Sequence, residues 1–397
     1  MTEIGLTAGV AGRLLPLLAE LFGGSSPVAL RTWDGGYAGP AGVPVVVLRS
    51  PRALRHVLWS PGELGLARAY VTGDLDVEGD LADGFRRVWA APGAKPGPAA
   101  LARALRHLPE VLGPRPPAPA SEARLRGRRH SKGRDSDAIA HHYDLSNEFY
   151  ELILDPSMAY SCARWAPGDT LVDAQRRKLD LVCRKLGLQP GARLLDVGCG
   201  WGSMLLYAAR EYGARATGVT VSREQRAFIR AASAGGGVEV RLQDYRDLAG
   251  EPYDAISSIE MGEHVGEENY PVYAATLFRM VRPGGRVVVQ QMSRGARAPG
   301  GGAFIERYIA PDMHMRPVGR TVAMLEEAGF EAVHVESMRE DYARTVRAWQ
   351  ETFESNYGRA VELVGEEMAR VWRLYLVGGG LAFEQGRMSV HQITLAR

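Results

Sequence analysis

The stretch that decides the fold is Ala192-Arg-Leu-Leu-Asp-Val-Gly-Cys-Gly-Trp-Gly-Ser203. An apolar run that contains Asp196 is typical of a buried strand, and glycines at 198, 200 and 202 end it. The segment that follows, Met204 to Arg210, is typical of a helix. Glycine lets the backbone approach a ligand closely because it has no Cβ, and a helix start offers free N–H groups to an anion. The stretch therefore predicts a turn that binds a cofactor.

The spacing of the glycines indicates which cofactor this turn binds. Dinucleotide-binding turns have the pattern G-x-G-x-x-G, with an acid about 20 residues later. Here the spacing is G-x-G-x-G, and the acid, Asp196, precedes the glycines. We therefore predict a site for S-adenosylmethionine, with another nucleotide or a purely structural turn as the alternatives.

Polar residues near the ends of the next two predicted strands complete the predicted cofactor site. Thr220, Ser222 and Gln225 are assigned to the ribose or methionine end of the cofactor. Gln243, Asp244 and Tyr245 are assigned to its adenine. From the turn itself, Asp196, Gly198, Gly200 and Gly202 are predicted to contact the cofactor.

Strand-like segments alternate with helical patterns from about residue 140 onward. The strand-like segments are residues 193–197, 215–221, 238–242, 253–259, 285–291, 331–337 and 390–395. Such alternation predicts an α/β fold with a doubly wound, mainly parallel sheet of the Rossmann-like type, as in class I S-adenosylmethionine methyltransferases. Ligands of such sheets bind at the carboxyl ends of the strands. Residues 1–112 mix short strands with amphipathic helices and predict a smaller α+β domain.

A basic linker, residues 113–135, separates the N-terminal domain from a catalytic domain predicted over 136–397. Its first part, Gly113-Pro-Arg-Pro-Pro-Ala-Pro-Ala120, cannot continue a helix. Six basic residues follow: Arg124, Arg126, Arg128, Arg129, Lys132 and Arg134. Two interpretations stay open, a solvated hinge and a contact with an anionic membrane surface.

Composition excludes several classes of protein. The formal net charge of +2 is too small for a general nucleic-acid binder. Three cysteines without paired spacing argue against a disulfide framework and a zinc site, so no metal is predicted. No run approaches the roughly 20 apolar residues that cross a bilayer. We expect a cytoplasmic protein that is either soluble or peripherally bound to a membrane.

Several further motifs narrow the reaction. They are HHYDLSNEFY at 141–150, DPSMAYSCA at 155–163, IEMGEHVG at 259–266, VQQM at 289–292 and EDY at 340–342, with GELGLARAYVTGD at 62–74 in the N-terminal domain. In this order around one glycine turn, the motifs resemble the cyclopropane fatty acid synthase family, including the mycolic acid cyclopropane synthases. The resemblance covers nearly the whole chain.

The resemblance implies an S-adenosylmethionine-dependent C-methyltransferase that acts on the double bond of an unsaturated phospholipid acyl chain. The olefin attacks the sulfonium methyl group, a carbocation forms, and a bound bicarbonate removes a proton. The resemblance implies Tyr160 and Ser161 at the cofactor and Tyr143 beside the reacting centre. It also implies that Cys162, Glu263 and Tyr342 hold the bicarbonate, with Cys162 as a polar wall and not a nucleophile.

One position departs from the family pattern. Family members carry a histidine that contacts bicarbonate, followed two positions later by isoleucine, where this chain has Gln290 and Met292. Glutamine cannot become cationic, so bicarbonate would be held more weakly. A longer-lived cation permits a hydride shift, after which loss of a methyl proton gives a methylene branch, as in relatives that make 10-methylene stearoyl chains.

We therefore predict a methylene-branched product from an oleoyl-type chain, with a cyclopropane product as the alternative. A methyltransferase for a soluble natural product and a non-catalytic lipid-binding protein are minor alternatives. The expected partners are the phospholipid, the inner face of the cell membrane and a reductase that acts on the methylene product. A homodimer is also compatible with the sequence.

Overall fold

The computed structural model describes residues 9–93, 111–143, 145–233, 236–295 and 300–397. These residues form two compact units. One unit comprises the described residues up to Glu122 together with Gly365–Leu381, and the other comprises Ala123–Val364 with Ala382–Arg397. The segment 365–381, which we expected in the catalytic domain, therefore belongs to the N-terminal unit.

The N-terminal unit combines short strands with helices, as an α+β domain does. Its described strands are β1 (Ala29–Arg31), β2 (Tyr37–Ala38), β3 (Val45–Leu48) and β4 (Leu75–Glu78), and its described helices before Glu122 are α1 (Val10–Leu21), α2 (Arg52–Trp59), α3 (Glu63–Val71) and α4 (Leu81–Ala90). The strands form a sheet in the order β2-β1-β3-β4. β1 and β3 are parallel, and the other two pairs are antiparallel.

Arg370 explains why the late segment packs in this unit. Its side chain is buried and donates to the carbonyls of Tyr70 at 2.6 Å and Leu75 at 2.9 Å. Its guanidinium also lies 4.1 Å from the centre of the Tyr70 ring. The helix Tyr357–Glu384 is interrupted at Gly365, whose φ of 80° is not helical, and the segment begins at this break.

The second unit contains most of the helices and the larger sheet. Its described helices are α5 (Lys132–Tyr143), α6 (Asn147–Ile153), α7 (Leu171–Leu186), α8 (Ser203–Tyr212), α9 (Arg223–Ala232), α10 (Tyr270–Met280), α11 (Val318–Glu327), α12 (Arg339–Ser355) and α13 (Tyr357–Glu384), the last shared with the N-terminal unit. Its described strands are β5 (Arg193–Val197), β6 (Arg215–Thr220), β7 (Val238–Leu242), β8 (Tyr253–Ile259), β9 (Val281–Ser293), β10 (Glu331–Ser337) and β11 (Ser389–Ala396). Across the described ranges, no helix has the length and apolar character needed to cross a membrane.

These seven strands form one sheet in the order β10-β11-β9-β8-β5-β6-β7. β11 runs antiparallel to both of its neighbours, and the remaining neighbouring pairs are parallel. Leu194, Leu195 and Val197 of β5 are fully buried, as expected for a central strand covered on both faces. The predicted doubly wound, mainly parallel sheet is confirmed. Its strand order reverses between β5 and β8, which is where such sheets bind ligands.

The basic linker is partly ordered by ion pairs. No helix or strand is present over 112–131, whereas α5 begins inside the predicted linker, at Lys132. Arg129 and Arg134 both pair with Asp312, at 3.0 and 2.5 Å. Arg124, Arg126 and Arg128 are exposed to solvent.

Candidate active site

The glycine turn joins β5 to α8 at the centre of the sheet. The N–H groups of Gly198 and Cys199 both donate to the carbonyl of Val219, at 3.1 Å. Gly198, Gly200 and Gly202 have φ values of 79°, 52° and 83°, in the left-handed region that favours glycine. A Cβ added at Gly200 would meet no atom within 4 Å, so the space beside this glycine is open. The turn is therefore a cradle with room for a ligand.

A cavity lies over this turn, at the carboxyl ends of β5 and β8. Its lining includes five of the predicted cofactor residues, Tyr160, Ser161, Asp196, Gly198 and Gly200. It also includes Lys178, Trp201 and Glu260, which the sequence analysis did not identify. Residues that follow β5 and a residue that follows β8 thus line the same cavity, at the point where the strand order reverses.

Asp196 is a buried acceptor in this cavity. Its Oδ1 accepts a hydrogen bond of 2.6 Å from the hydroxyl of Ser257 on β8. Burial raises the pKa of Asp196 to about 6. The carboxyl group is thereby fixed by the neighbouring strand and is available to a donor on a ligand.

Three predicted cofactor residues form a small network where β6 meets α9. The Thr220 hydroxyl donates to the Gln225 side-chain oxygen at 2.7 Å, and the backbone N–H of Ser222 donates to the Thr220 hydroxyl oxygen at 3.1 Å. Ser222 also caps α9 by accepting from the N–H of Gln225. All three are buried, and none is among the cavity-lining residues. Their contact with the cofactor stays a prediction.

The residues predicted to bind adenine follow β7. The Gln243 side chain donates to the carbonyl of Asp247, and Asp244 is bonded by Arg246 at 2.6 and 2.7 Å. Burial would raise the pKa of Asp244, but the hydrogen bonds and charge of Arg246 hold it below its ordinary value. The Tyr245 ring is buried, and its hydroxyl has no hydrogen-bond partner among the described residues. Adenine binding by these residues also stays a prediction.

Aromatic rings form one wall of the cavity. The Tyr160 ring lies 5.8 Å from that of Tyr150 and 5.2 Å from that of Trp349. Trp201 lies 4.5 Å from Tyr150, and its indole N–H donates to Asn147. Aromatic faces attract positive charge, so this wall suits a sulfonium ion or a carbocation.

A half-buried glutamate, Glu260, lines this cavity and accepts several hydrogen bonds. Its Oε1 accepts from the backbone N–H of Cys162 at 2.8 Å and from the side-chain amide of Gln290 at 2.7 Å. Its Oε2 accepts from the hydroxyl of Tyr342 at 2.5 Å. The residue has a φ of 53°, so the backbone is in the left-handed region to present this side chain. The structure thus assembles Cys162, Gln290 and Tyr342 around one carboxylate.

The charge balance around Glu260 involves a buried lysine. Burial raises the pKa of Glu260, while the hydrogen bonds from Tyr342, Cys162 and Gln290 and the charge of Lys178 oppose the rise. Lys178 is also fully enclosed, and it donates to the hydroxyl of Ser161 at 2.9 Å. Burial lowers the pKa of Lys178, and the charge of Glu260 opposes that change. The two groups therefore support each other's charged forms.

The Cys162 thiol is a neutral wall of the site. Its Sγ lies 3.2 Å from the carbonyl of Ala163, and its side chain is fully buried. Burial and the charge of Glu260 raise the pKa of this thiol well above its ordinary value. A thiol held in its protonated form is a poor nucleophile.

Glu263 lies apart from this arrangement. It belongs to a short 3₁₀ turn, Gly262–His264, and its Oε1 accepts from the backbone N–H of Met292 at 2.5 Å. Its Oε2 has no hydrogen-bond partner among the described residues. Burial, reinforced by the charge of Glu260, raises the pKa of Glu263 to about 8. Hydrogen bonds of the described residues thus join Cys162 and Tyr342 to Glu260 and not to Glu263.

The residues present do not fit a bound bicarbonate. The N–H of Cys162, the amide of Gln290 and the hydroxyl of Tyr342 already donate to Glu260. A second anion here would lie against the carboxylate without these donors, and like charges repel. Tyr143, predicted beside the reacting centre, ends α5, but its side chain lies outside the described residues.

Glu260 and Lys178, which the sequence analysis did not identify, each have a signal in the sequence. Glu260 directly follows β8, at the carboxyl end of a strand that borders the strand-order reversal. Lys178 lies on the buried face of α7, where a charged group requires a partner. Both signals depend on which strands are neighbours, so they become specific only with the sheet order.

Comparison with known proteins identifies the family of this chain. Residues 130–393 match the family described as mycolic acid cyclopropane synthetase. A probable fatty acid methyltransferase of Mycobacterium tuberculosis is 39% identical over 390 residues, which cover 93% of this chain and 91% of the relative. The cyclopropane-fatty-acyl-phospholipid synthase of Escherichia coli is 36% identical over 256 residues, which cover 64% of this chain and 66% of the relative.

A solved structure gives the same family assignment. The mycolic acid cyclopropane synthase CmaA1 complexed with SAH and CTAB is similar with a TM-score of 0.63 and 31% identity, over 66% of this chain and 98% of that chain. The predicted cofactor, S-adenosylmethionine, is confirmed, and the open cradle at Gly200 fits it. The chain is therefore an S-adenosylmethionine-dependent methyltransferase that belongs to the mycolic acid cyclopropane synthetase family.

Proposed function

We propose that this enzyme methylates the double bond of an oleoyl-type phospholipid acyl chain and converts it to a methylene-branched acyl chain, with Glu260 as the base. The observation that carries this proposal is the Glu260 carboxylate, which accepts hydrogen bonds from Cys162, Gln290 and Tyr342. Relatives named for fatty acid methylation support the substrate class, including the tuberculostearic acid methyltransferase UfaA1 of Mycobacterium tuberculosis, 37% identical over 286 residues. The relative named cyclopropane-fatty-acyl-phospholipid synthase supports a phospholipid.

The cofactor would be held by the glycine turn and the polar groups around it. S-adenosylmethionine supplies an electrophilic methyl group on a sulfonium ion. Asp196 offers an acceptor, while Ser161 and the buried ammonium of Lys178 offer donors to an anionic group. The aromatic rings of Tyr160 and Trp201 suit the positive charge.

The alkene is a weak nucleophile, so the protein's contribution to the first step is orientation in a dry site. A carbon–carbon bond forms between the alkene and the methyl group while the carbon–sulfur bond breaks. The electron pair of that bond stays on sulfur, and the positive charge moves to the acyl chain. No base is required at this stage.

Glu260 acts in the second step by accepting a proton from the transferred methyl group. A hydride shift first moves the charge onto the methyl-bearing carbon. When the proton moves to Glu260, the C–H electron pair forms the carbon–carbon double bond of the methylene branch, and Glu260 becomes a neutral acid. Both Glu260 oxygens already accept hydrogen bonds, which offset part of the rise in pKa that burial causes and hold the carboxylate in place while the shift occurs.

The second candidate product is a cyclopropane. It forms if the proton leaves before the hydride shift, because the same electron pair then closes a three-membered ring. A methylene product would also require a reductase for saturation.

We further propose peripheral binding to the inner face of the cell membrane, supported by the exposed basic residues of the linker.

The product is tested with vesicles of an oleoyl phospholipid and S-adenosylmethionine. We expect mass spectrometry of the released fatty acids to show mainly a methylene branch, because Glu260, fixed by its hydrogen bonds, acts after the shift. Ozonolysis separates the two products, which have the same mass, because only the methylene branch still has a double bond. A product that is all cyclopropane would overturn the methylene assignment, and no conversion of vesicles would overturn the phospholipid substrate.

The base is tested with Glu260→Gln, which keeps the shape of the side chain but cannot accept the proton. We expect kcat to fall by about 10²–10⁴-fold, the usual contribution of a general base. Affinity for S-adenosylhomocysteine, measured by calorimetry, should stay near that of the parent. Glu263→Gln is the matched control and should keep most of the activity, because its pKa of about 8 leaves that carboxyl neutral near pH 7.

A cavity variant completes this test. Glu260→Ala opens space beside the donors of Cys162, Gln290 and Tyr342, so added bicarbonate should restore part of the activity. Glu260→Gln fills the same space and should not respond. A loss of activity in Glu263→Gln together with an active Glu260→Gln would assign the base to Glu263 instead.

Membrane binding is tested by changing Arg124, Arg126 and Arg128 to Ser. Each exposed basic residue near an anionic bilayer contributes about 1 kcal/mol, so affinity for anionic vesicles should fall by up to about 100-fold at low salt. Sedimentation with vesicles measures the effect. The control changes three exposed arginines elsewhere, Arg215, Arg223 and Arg230, to Ser. Equal losses in both triple variants would contradict a specific role of the linker.

A further inference from the structure

A line of hydrogen bonds connects Glu260 with Lys185, near the end of α7. The Lys185 ammonium donates to the side-chain oxygen of Gln392 at 2.7 Å. The Gln392 amide donates to the side-chain oxygen of Gln290 at 2.8 Å, and the Gln290 amide donates to Glu260 at 2.7 Å. Gln392 and Gln290 are directly paired across β11 and β9, and both side chains are fully buried.

The two ends of this line determine its direction. A lysine ammonium has only donors, and an ionised carboxylate has only acceptors. If either glutamine amide were reversed, two donors or two acceptors would face each other in the interior, which is costly. The orientation of both amides therefore follows from Lys185 and Glu260, however the amide atoms are labelled.

The direction matters for the ionisation of Glu260. In the observed orientation, Gln290 presents an N–H to the carboxylate and stabilises its charged form. Without a donor-only group at the other end, both amides could reverse together. Gln290 would then present its oxygen and lose only its long hydrogen bond, 3.4 Å, to the carbonyl of Cys162. That arrangement accepts a hydrogen bond from a protonated Glu260 and favours the neutral acid, which cannot act as a base.

We propose that Lys185 and Gln392 are positioning residues that orient the Gln290 amide and thereby keep Glu260 ionised for proton abstraction. This inference rests on the proposed function of Glu260. Neither residue lines the cofactor cavity, so each acts on the reaction through Gln290. Burial of Gln392 and Gln290 excludes water that could otherwise satisfy a reversed amide.

Other charged and titratable groups that act on Glu260 stay in place when Lys185 or Gln392 is changed. They are Lys178 from α7, Tyr342 from α12, the Cys162 thiol and Glu263 from the 3₁₀ turn. At the other end, Lys185 is also paired with Glu336, and the Arg164 guanidinium lies 3.5 Å from the same carboxylate. Glu336 therefore keeps a cationic partner when Lys185 is removed.

The test compares the acid side of the kcat–pH profile in Lys185→Met, Gln392→Leu and the parent enzyme. Activity requires ionised Glu260 and is lost as the pH falls through its pKa. Loss of the oriented N–H raises that pKa, so the loss of activity should begin about one pH unit higher in both variants. Because both residues act through Gln290, the double variant should shift no further than Gln392→Leu alone.

Two comparisons separate this role from simple charge or structural effects. Gln392→Leu keeps the Lys185 charge, so a shift in that variant cannot come from charge removal. Glu336→Gln removes a charge beside Lys185 but keeps the donor, so its profile should match that of the parent. Affinity for S-adenosylhomocysteine should be unchanged in every variant, and Gln392→Met, which also keeps the Lys185 charge, replaces Gln392→Leu if that buried substitution does not fold.

Infrared spectroscopy gives a readout that does not depend on turnover. The carbonyl band of protonated Glu260, identified by its absence in Glu260→Gln, should appear at higher pH in Lys185→Met than in the parent. Parent-like profiles and bands in both single variants would overturn the positioning role while leaving Glu260 as the base. A fully active Glu260→Gln would instead overturn the proposed function itself.

Discussion

The carboxylate of Glu260, half-buried and held by three donors, is the group on which the catalytic unit depends. Burial alone would favour its neutral form, so the site must supply compensation from several elements. Tyr342 on α12, Gln290 on β9 and the segment at Cys162 donate to it, and Lys178 on α7 supplies a positive charge. The sheet order makes this possible because it brings β8 and β9 side by side.

The same constraint separates this chain from the family pattern on which its sequence was first interpreted. We propose that the Glu260 side chain takes the place of the anion that the family resemblance assigned to bound bicarbonate. Gln290, where the family pattern has histidine, is consistent with this proposal. A neutral donor is sufficient for a carboxylate that is covalently part of the protein, whereas a free anion must be bound from solution. The departure at Gln290 and the glutamate at 260 are thus two parts of one arrangement.

Much of the fold was predictable because its signals are local. The glycine spacing around Asp196 and the alternation of strands with helices follow from short-range patterns, and both are confirmed. The sequence analysis identified Glu263 and not Glu260, three residues earlier, because the sequence does not show which carboxylate faces the cavity. In the structure, a 3₁₀ turn directs the Glu263 side chain toward the backbone of β9. Segment 365–381 was misassigned because its partners, Tyr70 and Leu75, are distant in sequence.

The central claim is that the chain supplies its own base, and the most direct measurement is the bicarbonate dependence of the unmodified enzyme. Turnover of oleoyl phospholipid vesicles is compared in buffer depleted of carbon dioxide and in the same buffer with added bicarbonate, at constant pH and ionic strength. We expect equal rates, because Glu260 occupies the donors that an external anion would need. A rate that falls on depletion and recovers with bicarbonate would contradict it.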